Sequence, residues 1–324
     1  MKAVCAEVRD AAQALARGDL IGLPTETVYG LAADAMNTLA VTAIFTAKGR
    51  PATHPLIVHV ADASQVPKFA SHVPVFAQKL MTAFWPGPLT LILPRLPGIA
   101  DAAAGAHATI ALRSPSHPVA QALLHEAQGL GVQGVAAPSA NLFGRVSPTT
   151  AAHVREAFPS LLVLDGGACE VGIESTIVDC SRTAPVLLRP GMLLLSALSA
   201  ASGEVVTMPI NAPYSTHDET PAAPGSLASH YAPHARLRLL SADAIRQQLP
   251  SATLKVAVWA RFEAHNSAAF KQVMMPSKPA ECAHELFARL RELDASGAQE
   301  IWVEAPPAGQ DWDGVRDRLQ RAAH

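Results

Sequence analysis

Leu20-Ile21-Gly22-Leu23-Pro24-Thr25-Glu26-Thr27-Val28-Tyr29-Gly30 decides the fold class. Its apolar first half reads as a short buried strand that Pro24 stops. Its second half brings hydroxyls and a carboxylate out of that strand end together, which is where open α/β sheets bind ligands. Upstream, residues 6–16 have helical periodicity and end at Gly18. Downstream, helical patterns over 38–48, 75–84, 120–126 and 153–158 alternate with short apolar runs over 56–60, 89–93, 109–112, 134–137 and 161–164. Alternation of this kind predicts an α/β domain. Two further runs, 176–179 and 186–188, follow one another with no helix between them, so the sheet is expected to be mixed.

From about 206 to 233 the pattern fails. Prolines 209, 213, 221, 224 and 233 stand among Ser, Thr, Asn and Ala, which reads as an extended linker. Regular alternation resumes with strands at 237–240, 255–259 and 300–304 and helices at 242–249, 281–293 and 312–321. This is a small β-α-β-α-β-α unit of Rossmann-like kind without a G-x-G-x-x-G signature. The partition expected is therefore 1–205, a linker over 206–234, and 235–324.

The chain of 324 residues carries 25 Lys plus Arg against 27 Asp plus Glu, a net charge of −2. Charge is evenly spread, with neither a basic arm nor an acidic tail, which argues against a dedicated polyanion binder. At 49% hydrophobic residues the composition excludes general disorder. Cys5, Cys169, Cys180 and Cys282 form no C-x-x-C pair, so they read as reduced thiols of a cytoplasmic protein rather than metal ligands or a disulfide frame. Glu7, Arg9 and Asp10 interrupt the N-terminal segment too early for a signal peptide, and no apolar run approaches the ~20 residues of a membrane span.

Chemistry-bearing residues sit at the predicted strand and helix ends. Lys48-Gly49-Arg50-Pro51, followed by His54, follows a helix and would make a phosphate clamp, a point charge beside a bidentate fork. The plainer reading is two cations complementing a helix dipole. Thr109 and Arg113 share one strand face, and Arg113 at the strand end suits a carboxylate. Pro138-Ser139-Ala140-Asn141, then Ser147-Pro148-Thr149, offers hydrogen bonds to phosphate, ribose or base. Alternatively it is a turn in which Ser147 or Thr149 caps the next helix. Gly172-Ile173-Glu174-Ser175-Thr176 and Leu188-Arg189-Pro190-Gly191 border the last two strands, and Ser229-His230-Tyr231-Ala232-Pro233 closes the linker.

Each motif is weak alone, but the ordered set resembles the YrdC-like family, and within it the long, two-domain threonylcarbamoyl-AMP synthases of tRNA modification. The resemblance is dense over about 10–195 and continues more loosely to the end of the chain. It implies a twisted mixed YrdC-like sheet with flanking helices, plus a smaller Rossmann-like domain. It also implies synthesis of threonylcarbamoyl-AMP and pyrophosphate from L-threonine, bicarbonate or CO2, and ATP. Mg2+ would accompany the ATP, with no dedicated metal cluster. Other proteins would then transfer the group to tRNA.

Carried over by motif, the resemblance gives Lys48 and Arg50 the catalytic contact with the phosphates. His54, Thr109, Ser139, Asn141, Ser147, Arg189, His230 and Tyr231 join them on the ATP side. Thr27, His59, Arg113, Ser175 and the backbone at Ala137 form the threonine side. The linker departs from the P-G-M-K-Y-R-H-Y-A-P of relatives: it reads Pro224-Gly225-Ser226-Leu227-Ala228-Ser229-His230-Tyr231-Ala232-Pro233, without the Lys and Arg. Two alternatives stand beside this expectation. One is a non-catalytic RNA-binding protein of the same fold, which the balanced charge disfavours. The other is a carbamoyl-transfer domain of hydrogenase maturation, which expects zinc-finger and acylphosphatase regions that this chain does not carry.

Overall fold

The computed structural model describes residues 2–208, 230–263 and 269–324, so the linker motif from Pro224 to Ser229 lies outside the described residues. Helix α1 (Lys2–Arg17) leads into β1 (Ile21–Leu23), β2 (Gly30–Asp34), α2 (Thr38–Lys48) and β3 (Ile57–His59). Next come α3 (Val75–Phe84), β4 (Leu89–Pro94), β5 (Thr109–Arg113), α4 (Pro118–Gly129), β6 (Val135–Ala136) and α5 (Ala151–Ala157). This part ends with β7 (Leu162–Val163), β8 (Thr176–Asp179), β9 (Val186–Arg189) and α6 (Leu195–Ser202). The strands form one mixed sheet in the order β7-β1-β2-β6-β3-β5-β4-β8-β9. The expected mixture is real: β3–β5 and β4–β8 are parallel, while β4–β5 and β8–β9 are antiparallel.

Among the described residues, three strands or α-helices lay outside the sequence reading. β2, over which no element was expected, is Gly-Leu-Ala-Ala-Asp with its first four residues buried; covered on both faces, it shows no alternation to read. Helix α6 has no side-chain cap at Leu194, and only Gly203 in the left-handed region marks its end. β12 (Lys271–Met274), in the C-terminal unit, is a short edge strand with no fully buried residue. The cap of α5 also differs. Thr150, not Ser147 or Thr149, accepts from the His153 amide at 3.3 Å.

Side-chain alternation assigns the two faces of the large sheet. Val58, Leu91, Leu112 and Val178 join the main core, together with Val41 and Ile44 of α2 and Leu80 of α3. On the other face α1 and α4 cover β1, β2 and β6, with Leu15, Leu123 and Leu124 packed on Ile21, Ala32 and Val135. The remaining half of that face has only a small apolar cluster of Ile57, Ile92, Ala111, Ile177 and Leu188. By the same alternation His59 and Arg113 point there, so the helices leave room for a cleft over β3, β5 and β8.

The C-terminal unit runs β10 (Arg236–Leu240), α7 (Ala242–Gln248), β11 (Val256–Ala260), β12, α8 (Pro279–Asp294), β13 (Glu300–Glu304) and α9 (Asp313–Ala322). Its strands are parallel in the order β10-β13-β11-β12. Ala257 and Trp259 of β11 face Leu286 and Phe287 of α8 and Leu319 of α9. Val256 and Val258 face Ile245 of α7. The α8–α9 core also takes in Val28, Val146, Ile173 and Tyr231, so one apolar cluster joins the two units. Backbone meets backbone there. A Cβ on Gly172 would sit 2.4 Å from the Ala283 oxygen, and one on Gly314 would sit 2.6 Å from the Gly191 oxygen.

Candidate active site

The loop after β1 folds back on itself through hydroxyls. Thr25 Oγ1 donates to the Val28 carbonyl at 2.6 Å and lies 2.9 Å from Thr27 Oγ1. Tyr29 is wholly buried and donates to the Gly167 carbonyl at 2.7 Å, which fixes the loop from behind. Thr27 then meets Arg113 at the end of β5, where Nη1 donates to Thr27 Oγ1 at 2.8 Å and Nε donates to the Gly87 carbonyl at 3.2 Å. The third edge of the guanidinium forms an ion pair with Glu26 at 2.7 Å, both side chains being about 4% exposed. Burial pushes the Glu26 carboxyl up, but Arg113 outweighs it and holds the group below the ordinary carboxylate range. His59, paired with Arg113 across β3 and β5, is pushed down to about 3 by burial and by the Arg113 charge. It is a neutral imidazole at working pH.

On the opposite side, Asn37 caps α2, whose other end is closed by Gly49 at φ 64°; this left-handed turn throws Arg50 toward the cleft. Arg50 donates to the Pro55 carbonyl at 3.1 Å and retains a buried, unpartnered Nε. Burial lowers its pKa to about 10. Lys48 points elsewhere. Its ammonium donates to the carbonyls of Ser139 and Asn141, pinning the P-S-A-N loop, and burial lowers its pKa well below the usual value. Arg189, at the end of β9, donates to the Ser175 carbonyl and hydroxyl at 2.9 and 3.2 Å. Ser175 also shares a hydrogen bond of 2.7 Å with Thr90.

Between the two sides lies a void of about 570 Å³, its solvent-open part included. Of the residues expected in the site, Thr27, Arg50, His59, Arg113, Ala137, Ser139, Ser175, Arg189, His230 and Tyr231 line it. Five others do not. Lys48, Asn141 and Ser147 lie behind the wall. Lys48 holds the loop, Asn141 Nδ2 donates to the Leu142 and Arg145 carbonyls, and Ser147 Oγ donates to Glu174 at 2.6 Å. His54 packs against Phe143, with the ring centroids 5.7 Å apart. Thr109 shares a face with Arg113 but opens β5 four residues away, ~13 Å along the strand.

The expected Lys–Arg clamp is therefore divided: one cation faces the cleft and the other builds it. Along one side His54, Phe143, His230, Tyr231 and Phe287 form a continuous run of rings, with the His230 and Tyr231 centroids 4.1 Å apart. Burial pushes His230 down to about 3 and raises Tyr231, whose buried hydroxyl has no partner.

Three site residues escaped the sequence reading. Glu26 stood inside a quoted motif, and its signal was a carboxylate at a strand end beside hydroxyls. Glu174 stood likewise in G-I-E-S-T. Arg318, which pairs with Glu174, gave no signal, since an arginine on an amphipathic helix reads as solvated. Among the described residues no group of three or more His, Cys, Asp or Glu side chains is placed to hold a metal ion. Among them, too, no helix is long and apolar enough to cross a membrane. Cys169, Cys180 and Cys282 are free and buried.

A buried cleft of arginines and hydroxyls on the open half of a mixed sheet, bordered by His230 and Tyr231, together with a second unit built on a parallel sheet, defines a two-unit YrdC-type α/β protein. The family model described as telomere recombination, that of the Sua5, YciO and YrdC proteins, matches residues 13–191. The model described as threonylcarbamoyl-AMP synthase, C-terminal domain, matches residues 195–324. The chain belongs to the threonylcarbamoyl-AMP synthase family.

It is 36% identical to the threonylcarbamoyl-AMP synthase of Pyrococcus abyssi over 98% of this chain and 94% of that protein. It is 42% identical to the Bacillus subtilis synthase over 75% of this chain and 69% of that one. Pyrococcus abyssi Sua5 complexed with L-threonine superposes with a TM-score of 0.88 at 36% identity, covering 98% of this chain and 94% of the other. A variant of that protein with an adjacent His-Tyr pair changed to alanines superposes at 0.87 and 35% identity, covering 98% and 92%.

Proposed function

We propose that the chain is a nucleotidyltransferase that forms threonylcarbamoyl-AMP from L-threonine, bicarbonate or CO2, and ATP. The threonine amine attacks the carbon of CO2 and loses a proton to give a carbamate. A carbamate oxygen then attacks the α-phosphorus, the bond from that phosphorus to the bridging oxygen breaks, and pyrophosphate leaves. Such a transfer depends on positioning and charge stabilisation more than on a strong base. That suits a cleft whose histidines, His59 and His230, are held neutral.

The observation that carries the reading is Arg113, wholly enclosed and already bound to a carboxylate, Glu26, at 2.7 Å. Beside it Thr27, His59 and Ser175 offer polar atoms to a small hydroxylated amino acid, and a site built around a hydroxyl rejects analogues without one. Arg50, with its unpartnered Nε, Ser139 and Arg189 take the phosphates, and the His230–Tyr231 rings take the nucleoside. Mg2+ would accompany the ATP and supply charge neutralisation of its phosphates. Both oxygens of Glu174, in the cleft wall, are engaged by Ser147 and Arg318. The product would pass to tRNA-modifying transferase proteins.

Purified protein with ATP, Mg2+, bicarbonate and threonine is expected to release pyrophosphate only when both threonine and bicarbonate are present. Release independent of either overturns the reading. Salt-dependent tRNA binding without pyrophosphate release would instead support an RNA-binding protein.

A further inference from the structure

Arg318, on α9 of the C-terminal unit, is 0% exposed. Its Nε donates to Glu174 Oε2 at 2.7 Å, its Nη2 to the Glu174 carbonyl at 3.1 Å, and its Nη1 to the Pro190 carbonyl at 2.9 Å and to Asp317 at 2.6 Å. Glu174 is the one carboxylate among the described residues lining the cleft, where it stands with Arg50 and Arg189. Its other oxygen accepts from Ser147 at 2.6 Å. The chain Arg318–Glu174–Ser147 thus runs from the second unit into the wall of the first. The same guanidinium lies 5.6 Å from the Tyr231 ring centre, and the His230 amide donates to the Arg321 carbonyl at 3.2 Å. Gly314 lets α9 come this close, because any side chain there would strike the Gly191 carbonyl.

A carboxylate in a cleft for polyphosphate is a liability. Left unpaired it would repel the ligand and draw Arg50 or Arg189 to itself. Buried among fixed donors and paired, it presents little negative charge to its surroundings. Burial pushes the Glu174 carboxyl up, but Arg318 and Arg189 outweigh it and keep the group ionised.

We propose that Arg318 is a positioning residue of the nucleotide side: it neutralises and orients Glu174, and through it Ser147, so that the cleft accepts polyphosphate. The C-terminal unit thereby supplies a part of the active site that the first unit lacks. This inference rests on the reading of the cleft as an ATP site.

The test is a charge-rescue series in the full chain: R318M, E174Q and the double variant E174Q/R318M. Calorimetry reads ATP affinity, pyrophosphate release reads turnover, and circular dichroism reads folding. In R318M the ATP Kd and KM are expected to rise roughly 10–100-fold while the threonine KM moves about threefold or less. In the double variant, where no charge is stranded, most of the ATP affinity is expected to return. Unchanged ATP affinity in R318M overturns the proposal, and so does a double variant no better than R318M. If R318M fails to fold, the double variant decides alone: folded with near-native ATP affinity it supports the proposal, and folded with the full ATP defect it overturns it. Absence of threonine-dependent turnover in the unmodified protein would count against the proposed reaction, whereas the calorimetric series still decides the role of Arg318.

Discussion

Glu26→Gln strands the Arg113 charge while keeping the shape of the side chain. With charge centres ~4 Å apart, the pair is worth ~4 kcal/mol at an effective dielectric of ~20. Removing one partner of a buried pair typically costs ~3–5 kcal/mol, since the other charge stays buried. For a unit of the size spanned by residues 13–191 that is a fall of ~6–20 °C in Tm. The substrate carboxylate is expected to supply the negative charge that Arg113 then lacks. L-threonine at ~100 times its Kd adds ~2.7 kcal/mol to a protein that binds it only when folded. In the variant the threonine-induced shift should exceed that of the native protein, because the ligand restores the missing charge.

Scanning fluorimetry with and without threonine measures both effects. Glu26 has a depressed folded pKa, so its contribution is present above the unfolded value near 4.5 and is lost as pH falls through the lower folded value. The variant should lack this part of the acid limb. A loss under ~1 kcal/mol with an identical threonine shift would show that the pair neither stabilises the cleft nor marks the carboxylate position.

Lys48→Met is expected to lower kcat/KM for ATP by about 100-fold or more by releasing the Ser139–Asn141 loop, and Lys48→Arg should not rescue it, the larger head having no room between two carbonyls. Rescue by arginine, read by pyrophosphate release, would favour a direct phosphate contact. His59 has a folded pKa of about 3, below the usual 6.5, so the unfolded chain binds the extra proton between those values and stability falls as pH drops through that window. His59→Asn should flatten this slope in urea titrations, leaving the shape of the pH–rate profile between 6 and 8 unchanged. Gly172→Ala places a Cβ 2.4 Å from the Ala283 carbonyl at a φ of +81°, so calorimetry should show the C-terminal unit melting earlier and apart from the first. A single transition at the native temperature would mean the interface yields easily.

The sequence made the alternating elements legible wherever one face of a helix or strand was apolar, as in 38–48 and 75–84, both reproduced to the residue. It failed at β2, where burial on both faces erases period, and at β12, where an edge strand buries too little to show one. Within the site, residues that present polar groups to the cleft from strand ends, such as Arg113 and Ser175, were legible because a cation or hydroxyl after an apolar run needs explaining. Lys48 was legible as important, but its direction was not: sequence cannot distinguish a cation that faces phosphate from one that holds two carbonyls. Arg318 was invisible because its partner lies 144 residues earlier, and pairings of that span leave no local pattern.

That span also sets a schedule for the nascent chain. At ~5–20 residues per second a ribosome needs roughly 7–29 s to travel from Glu174 to Arg318. For most of that interval, once β9 has followed, the larger sheet can already be complete while its wall carboxylate has no guanidinium to meet. The sheet must hold that corner open, or shielded by solvent, until α9 emerges, and the final step of folding is then the docking of a late helix onto an early scaffold.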